Sequence, residues 1–131
     1  MLDTSTVIVL NQLTDPQALP AEPLITTVTL AELSVGPLVA RTAKERAARQ
    51  AHLQRAEADF DPLPFDADAA RAFARVAASL RARGRKGSAR AYDAMIAATA
   101  LAHGIDVYTC NPRDFTSIDG LNVVTVTPPT T

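Results

Sequence analysis

Short apolar runs alternate with longer stretches of helical periodicity along the whole chain. The runs Met1–Asp3, Leu24–Val28, Leu63–Phe65, Asp106–Thr109 and Leu121–Val126 read as strands, the first of them truncated. Between them the pattern predicts helices near Thr4–Leu13, Leu30–Val35, Thr42–Asp59, Ala67–Arg83 and Ala89–His103. Asp66 and Ser88 stand where helix N-caps belong, and Gly104 where a helix-ending glycine belongs. Strands alternating with helices predict an α/β sandwich, a parallel sheet covered on both faces. Alanine is abundant and aromatic residues are few, so the helices should pack closely.

Length and composition narrow this picture. At 131 residues, with neither a repeat nor a linker, the chain reads as one domain over residues 1–131. A hydrophobic fraction of 47% with 21% charged residues excludes a disordered chain. The lone Cys110 excludes an intramolecular disulfide and a cysteine-based zinc site. No apolar run approaches the ~20 residues of a membrane helix. The first ten residues lack the positive charge of a signal peptide. The expectation is a reduced, cytoplasmic protein without membrane contact. A net charge of −1 by itself argues against a partner such as nucleic acid.

Three acidic residues change that view because they stand alone. Asp3 is the only ionisable side chain in the first fourteen residues, Glu32 the only one between Glu22 and Arg41, and Asp93 the only fully charged one between Arg90 and Asp106. On a helix, Asp93 has Ala89, Ile96, Ala97 and Ala100 as its neighbours, so it lies in an apolar stripe. An ionised carboxylate buried there costs several kcal/mol without a counter-charge, and a hard divalent cation is a suitable one. Asp3 ends the first strand, and Asp114 follows the fourth by a few residues. Sites in open α/β sheets form at carboxyl ends of strands, where Asp3 and Asp114 would meet, with Asp93 and Glu32 arriving from helices. Plainer readings stand beside these. Glu32 has capping-box spacing from Thr29, Asp3 is placed to cap the next helix, Asp93 has distant arginines to pair with, and Asp114 suits an Asn-Pro turn.

These residues carry a resemblance. The segments LDTSTVI (2–8), TVTLAEL (27–33), YDAMIAATALAHGIDVYT (92–109), NPRDF (111–115) and GLNVVTV (120–126) resemble, in order and spacing, the PIN-domain ribonucleases, specifically VapC-type toxins of bacterial toxin–antitoxin pairs. The resemblance implies a PIN-like three-layer α/β/α sandwich around a parallel sheet of four to five strands. It implies Mg²⁺- or Mn²⁺-dependent endonucleolytic cleavage of RNA, with Asp3, Glu32, Asp93 and Asp114 as the catalytic, metal-binding carboxylates and Thr109 and Asn111 supporting the pocket. It also implies a homodimer and a cognate antitoxin that covers the active site. Three departures stand out. Only two residues precede Asp3, so the first strand should be short or the true start lie upstream; Cys110 replaces a frequent arginine, and Ser5 a common asparagine.

Charge distribution bears on the substrate. From Ala69 to Tyr92 there are seven basic residues and no acid. Arg83, Arg85, Lys86 and Arg90, just before Asp93, are candidate RNA contacts, although arginines near a helix C-terminus also favour its dipole. The five acids from Glu57 to Asp68 read as a solvated turn, and His52 and His103 as ordinary helix residues. Two other classes compete. A haloacid-type phosphatase wants an aspartate where Ser5 stands, and a receiver domain wants a lysine after a late strand, whereas the lysines are Lys44 and Lys86. A PIN-like binding module without catalytic power is the remaining alternative.

Overall fold

The computed structural model describes residues 1–129 except 14, 16, 17, 83 and 85–88. Among the described residues five α-helices accompany a small parallel sheet: α1 Thr4–Val9, α2 Thr27–Val35, α3 Ala43–Asp59, α4 Ala67–Ala82 and α5 Ala89–His103, with β1 Val107–Thr109 and β2 Val123–Thr125. Short 3₁₀ turns follow α1 (Leu10–Gln12) and α2 (Gly36–Val39), and a third spans Pro112–Asp114.

Side-chain caps start four of the helices. Asp3 accepts from the Thr6 amide, Thr26 from Thr29, Thr42 from Glu45 and Asp66 from Ala69, all at 3.0–3.1 Å. Each satisfies an amide that the helix cannot. At the end of α5, Gly104 takes φ +65°. The Ile105 and Gly104 amides donate to the Ala100 and Leu101 carbonyls, the Schellman arrangement that a glycine here permits. The expected Ser88 cap lies outside the described residues.

The sheet is narrower than expected. β1 and β2 pair in parallel, Val107 with Val123 and Thr109 with Thr125. The other extended segments contribute isolated parallel bridges, Leu2 with Tyr108 and Thr26 with Leu63. Among the described residues two regular strands stand where four to five are expected, and local causes are visible. Leu63 lies between Pro62 and Pro64, which have no N–H to extend a ladder. Asp3 and Thr26 turn their segments into α1 and α2 by capping. The second of these corrects the strand expected over Leu24–Val28: α2 begins at Thr27, and Glu32 sits in its middle rather than in a capping box with Thr29. Even so, backbone bonds tie the segments side by side. The Leu2 amide donates to Leu24 O at 2.7 Å, Tyr108 to Met1 O at 2.8 Å, and Asp3 to Tyr108 O at 3.1 Å.

Packing follows from spacing. α4 buries Ala69, Ala72, Val76 and Leu80, one stripe at helical intervals, against α5. A fully buried valine or leucine contributes about 1.5–3 kcal/mol. α5 is buried from Ile96 to Ala100 on every side, which its alanines allow. A second cluster, Leu2, Val7, Ile25, Leu33 and Ala56, joins α1, α2 and α3 to the extended segments. Among the described residues no helix is long and apolar enough to cross a membrane.

Candidate active site

Asp3 is the most enclosed acid of the site, with its residue 3% exposed. Because Leu2 and β1 run parallel, the carboxyl end of the first segment meets the carboxyl end of β1. Thr109, the last residue of β1, thus reaches Asp3 and donates from Oγ1 to Oδ2 at 2.6 Å. Ser5 Oγ donates across both carboxylate oxygens at 2.8 and 3.0 Å, and the Thr6 amide donates to Oδ1 at 3.1 Å. The supporting hydroxyls are themselves held. The Asn111 amide donates to Thr109 Oγ1 at 2.9 Å, and the Cys110 amide to Ser5 Oγ at 3.2 Å.

Glu32 approaches from α2. Thr4 Oγ1 donates to its Oε1 at 2.7 Å and lies 3.1 Å from Thr29 Oγ1. Burial pushes the Glu32 carboxyl above the usual carboxylate range, the Thr4 hydrogen bond pulls it down, and the negative charge of Asp3 pushes it up again. Two carboxylates therefore feel each other at one edge of the sheet.

The remaining predicted residues lie on α5 and in the turn after β1. Asp93 is half-buried on α5, with Ile96, Ala97 and Ala100 of its stripe fully buried. Asp114 is half-buried in the 3₁₀ turn after β1, where its amide donates to Asn111 O at 3.1 Å. Both have interaction partners. Asn111 is exposed and its backbone amide, not its side chain, makes the contact with Thr109. Among the described residues no three His, Cys, Asp or Glu side chains converge as a metal-binding group, while Asp3 and Glu32 are coupled through charge. The donors are nevertheless all oxygen, the kind a hard divalent cation takes, and the mutual repulsion of the pair is what a cation would offset. Arg83, Arg85 and Lys86 lie outside the described residues, and Arg90 falls in the first turn of α5.

Four hydroxyl residues, Thr4, Ser5, Thr6 and Thr29, belong to the site without having been singled out for it. Their signal was the run Thr4-Ser5-Thr6 directly after the isolated Asp3.

Comparison with known proteins shows the family. The family model for the PIN domain matches residues 1–121. The chain is 41% identical over 122 residues to Ribonuclease VapC5 of Mycobacterium tuberculosis, covering 92% of this chain and 87% of that protein. It is 30% identical over 129 residues to Ribonuclease VapC1 of Rickettsia felis, covering 96% and 95%. The crystal structure of VapBC-5, a member of the VapBC family of toxin–antitoxin systems from M. tuberculosis, matches with a TM-score of 0.80 at 40% identity, covering 95% of this chain and 96% of that one. A DNA-bound VapBC from Salmonella typhimurium matches with a TM-score of 0.74 at 26% identity over 94% of both chains.

Proposed function

This chain belongs to the PIN-domain family, and from that premise we propose that it is the VapC-type ribonuclease toxin of a toxin–antitoxin pair, an endonuclease that cuts RNA phosphodiester bonds. The observation that carries the reading is the enclosed Asp3 carboxylate, fixed by three donors beside a second carboxylate at the carboxyl edge of a parallel sheet.

In this reading Asp3, Glu32, Asp93 and Asp114 hold a Mg²⁺ or Mn²⁺ ion. Such an ion supplies Lewis acidity toward the phosphate and makes an attacking water more acidic. The chain's own part is positioning. Ser5, Thr109 and the Thr6 amide hold Asp3 in one orientation, and Thr4 orients Glu32. Asp93 and Asp114 contribute further anionic oxygen, and Asn111 supports the pocket through Thr109. Arg83, Arg85, Lys86 and Arg90 contact the phosphates of the RNA. The bridged segments are read as one sheet of four to five strands between helices. A cognate antitoxin covers the site, the toxin is a homodimer, and both act in the cytoplasm.

The decisive experiment incubates the purified protein with RNA in Mg²⁺ or Mn²⁺, with chelator, and as Asp93→Asn. Cleavage is expected to fall at least ~100-fold both with chelator and in the variant, with the fold intact by circular dichroism. Cleavage that survives either change refutes the metal-dependent reading. Replacing Arg83, Arg85 and Lys86 with alanine should flatten the salt dependence of RNA binding, by a log–log slope of about 0.7 per lost single-strand contact. An unchanged slope removes these residues from the RNA path.

A further inference from the structure

Beside Glu32 there is a feature that the cleavage chemistry leaves unused. A cavity of about 250 Å³ opens between α2 and α5, lined by Ala31, Glu32, Val35 and Tyr92. Tyr92 immediately precedes Asp93 on α5, and the two adjacent residues face different surroundings. Asp93 is half-buried in the apolar stripe, whereas Tyr92 is 52% exposed. In a protein with two tyrosines, four phenylalanines and no tryptophan, Tyr92 alone among the described aromatic residues is an exposed one. Isolated exposed apolar side chains need no explanation. This one, however, walls a cavity with an alanine, a valine and a carboxylate that also faces Asp3.

We propose that this cavity is a base-binding subsite, in which the Tyr92 ring stacks on one unpaired nucleobase of the RNA strand next to the Asp3–Glu32 carboxylates. The inference rests on the ribonuclease reading and adds to it a contact with a base rather than with the phosphate backbone. Three observations support it. Single-strand recognition depends on aromatic faces, because every base offers a π-surface. The cavity is smaller than the ~300–1,000 Å³ of a drug-sized site, the scale of one heterocycle rather than of a peptide helix. Its described walls are apolar apart from the Glu32 carboxylate and the Tyr92 hydroxyl, so a base entering there trades water for ring contact. Tyr92 is then a positioning residue, which sets where along the strand the phosphate meets the carboxylates.

The test measures binding of the full chain, in chelator so that nothing is cut, to a labelled single-stranded RNA and to the same sequence as a duplex. The variants are Tyr92→Leu, which keeps apolar bulk, and Tyr92→Phe, which keeps the ring. Tyr92→Leu should weaken single-strand binding by about 5- to 100-fold, leave duplex binding unchanged and leave the melting temperature unchanged. Tyr92→Phe should bind like the wild type. In a second arm, a mononucleotide should saturably quench the tyrosine emission of the wild type. Equal single-strand binding by Tyr92→Leu and wild type overturns the subsite, as does equal loss of single-strand and duplex binding. Absence of mononucleotide quenching does so too. These outcomes are separate from the fate of the ribonuclease reading, which is decided by cleavage with and without Mn²⁺.

Discussion

Asp3 sits where an extended segment turns into α1, with two hydroxyls and a backbone amide aimed at it, whereas Glu32 rides in the middle of α2 with one donor, Thr4, among the described residues. The same functional group is caged in one place and loosely tethered in the other. The cage comes from backbone geometry, because Thr109 and Thr6 are fixed by a parallel bridge and a helix cap. The tether leaves Glu32 with a net burden from burial and from its neighbour's charge. A caged carboxylate is preorganised, while a tethered one can follow a ligand that relieves it.

Removing the cage should show the largest effect. Thr109→Val deletes the 2.6 Å donor to Asp3 and leaves the Asn111 amide without its hydroxyl acceptor. If Asp3 holds the proposed cation, RNA cleavage should drop about 10- to 100-fold, and stability by about 1–3 kcal/mol. Thr109→Ser should restore both. Initial rates and thermal melting provide the measurement, and wild-type rates in Thr109→Val would show that the cage is irrelevant to Asp3.

Glu32→Gln sharpens the contrast through pH. The folded value of Glu32 stands above its unfolded value of ~4.3, so the folded state binds its proton more tightly. Its contribution to stability is full below the unfolded value and is lost as pH rises through the folded one. The metal-free Glu32→Gln protein should therefore melt higher than the wild type at pH 7, and the gain should vanish near pH 4. A wild-type melting curve at pH 7 that equals the variant's would mean that Glu32 carries no such burden.

The smallest effect should come from Thr4→Val, which removes the tether to Glu32 and the contact with Thr29 Oγ1. A half-exposed carboxylate recovers part of that bond from water, so the loss should be about 0.5–1.5 kcal/mol. Thr4→Val should also widen the pH-dependent gap at Glu32, since the bond that pulls its pKa down is gone. A loss as large as that of Thr109→Val would erase the distinction between cage and tether.

Much of this was legible in the residues. α3, α4 and α5 follow the predicted spans because caps and periodicity agree: Thr42 and Asp66 open helices, Gly104 closes one, and the α4 stripe is read directly from its spacing. The isolation of Asp3 and Glu32 in sequence pointed to the pair that the fold brings together. The start of α2 was not legible, because Thr26, Thr27, Val28 and Thr29 favour a strand by branching at Cβ, and the cap made by Thr26 overrides that preference. The hydroxyl cage was hidden for another reason. Serine and threonine suit caps, turns and surfaces alike, and only the register of Leu2 against Tyr108 brings Thr109 to Asp3. Two of the expected strands take part through single bridges, because Pro62, Pro64 and the two caps end pairing there.

The cap on α1 has a practical consequence for capturing this protein with an RNA or an inhibitory partner. An inactive form made at Asp3 would release Thr6, Ser5 and Thr109 together and slacken the first helix, so a lost partner could reflect a disturbed surface. Asp93 lies inside α5, past its first residues, and that helix is anchored by alanines and Ile96. A silent protein for trapping complexes is better made there.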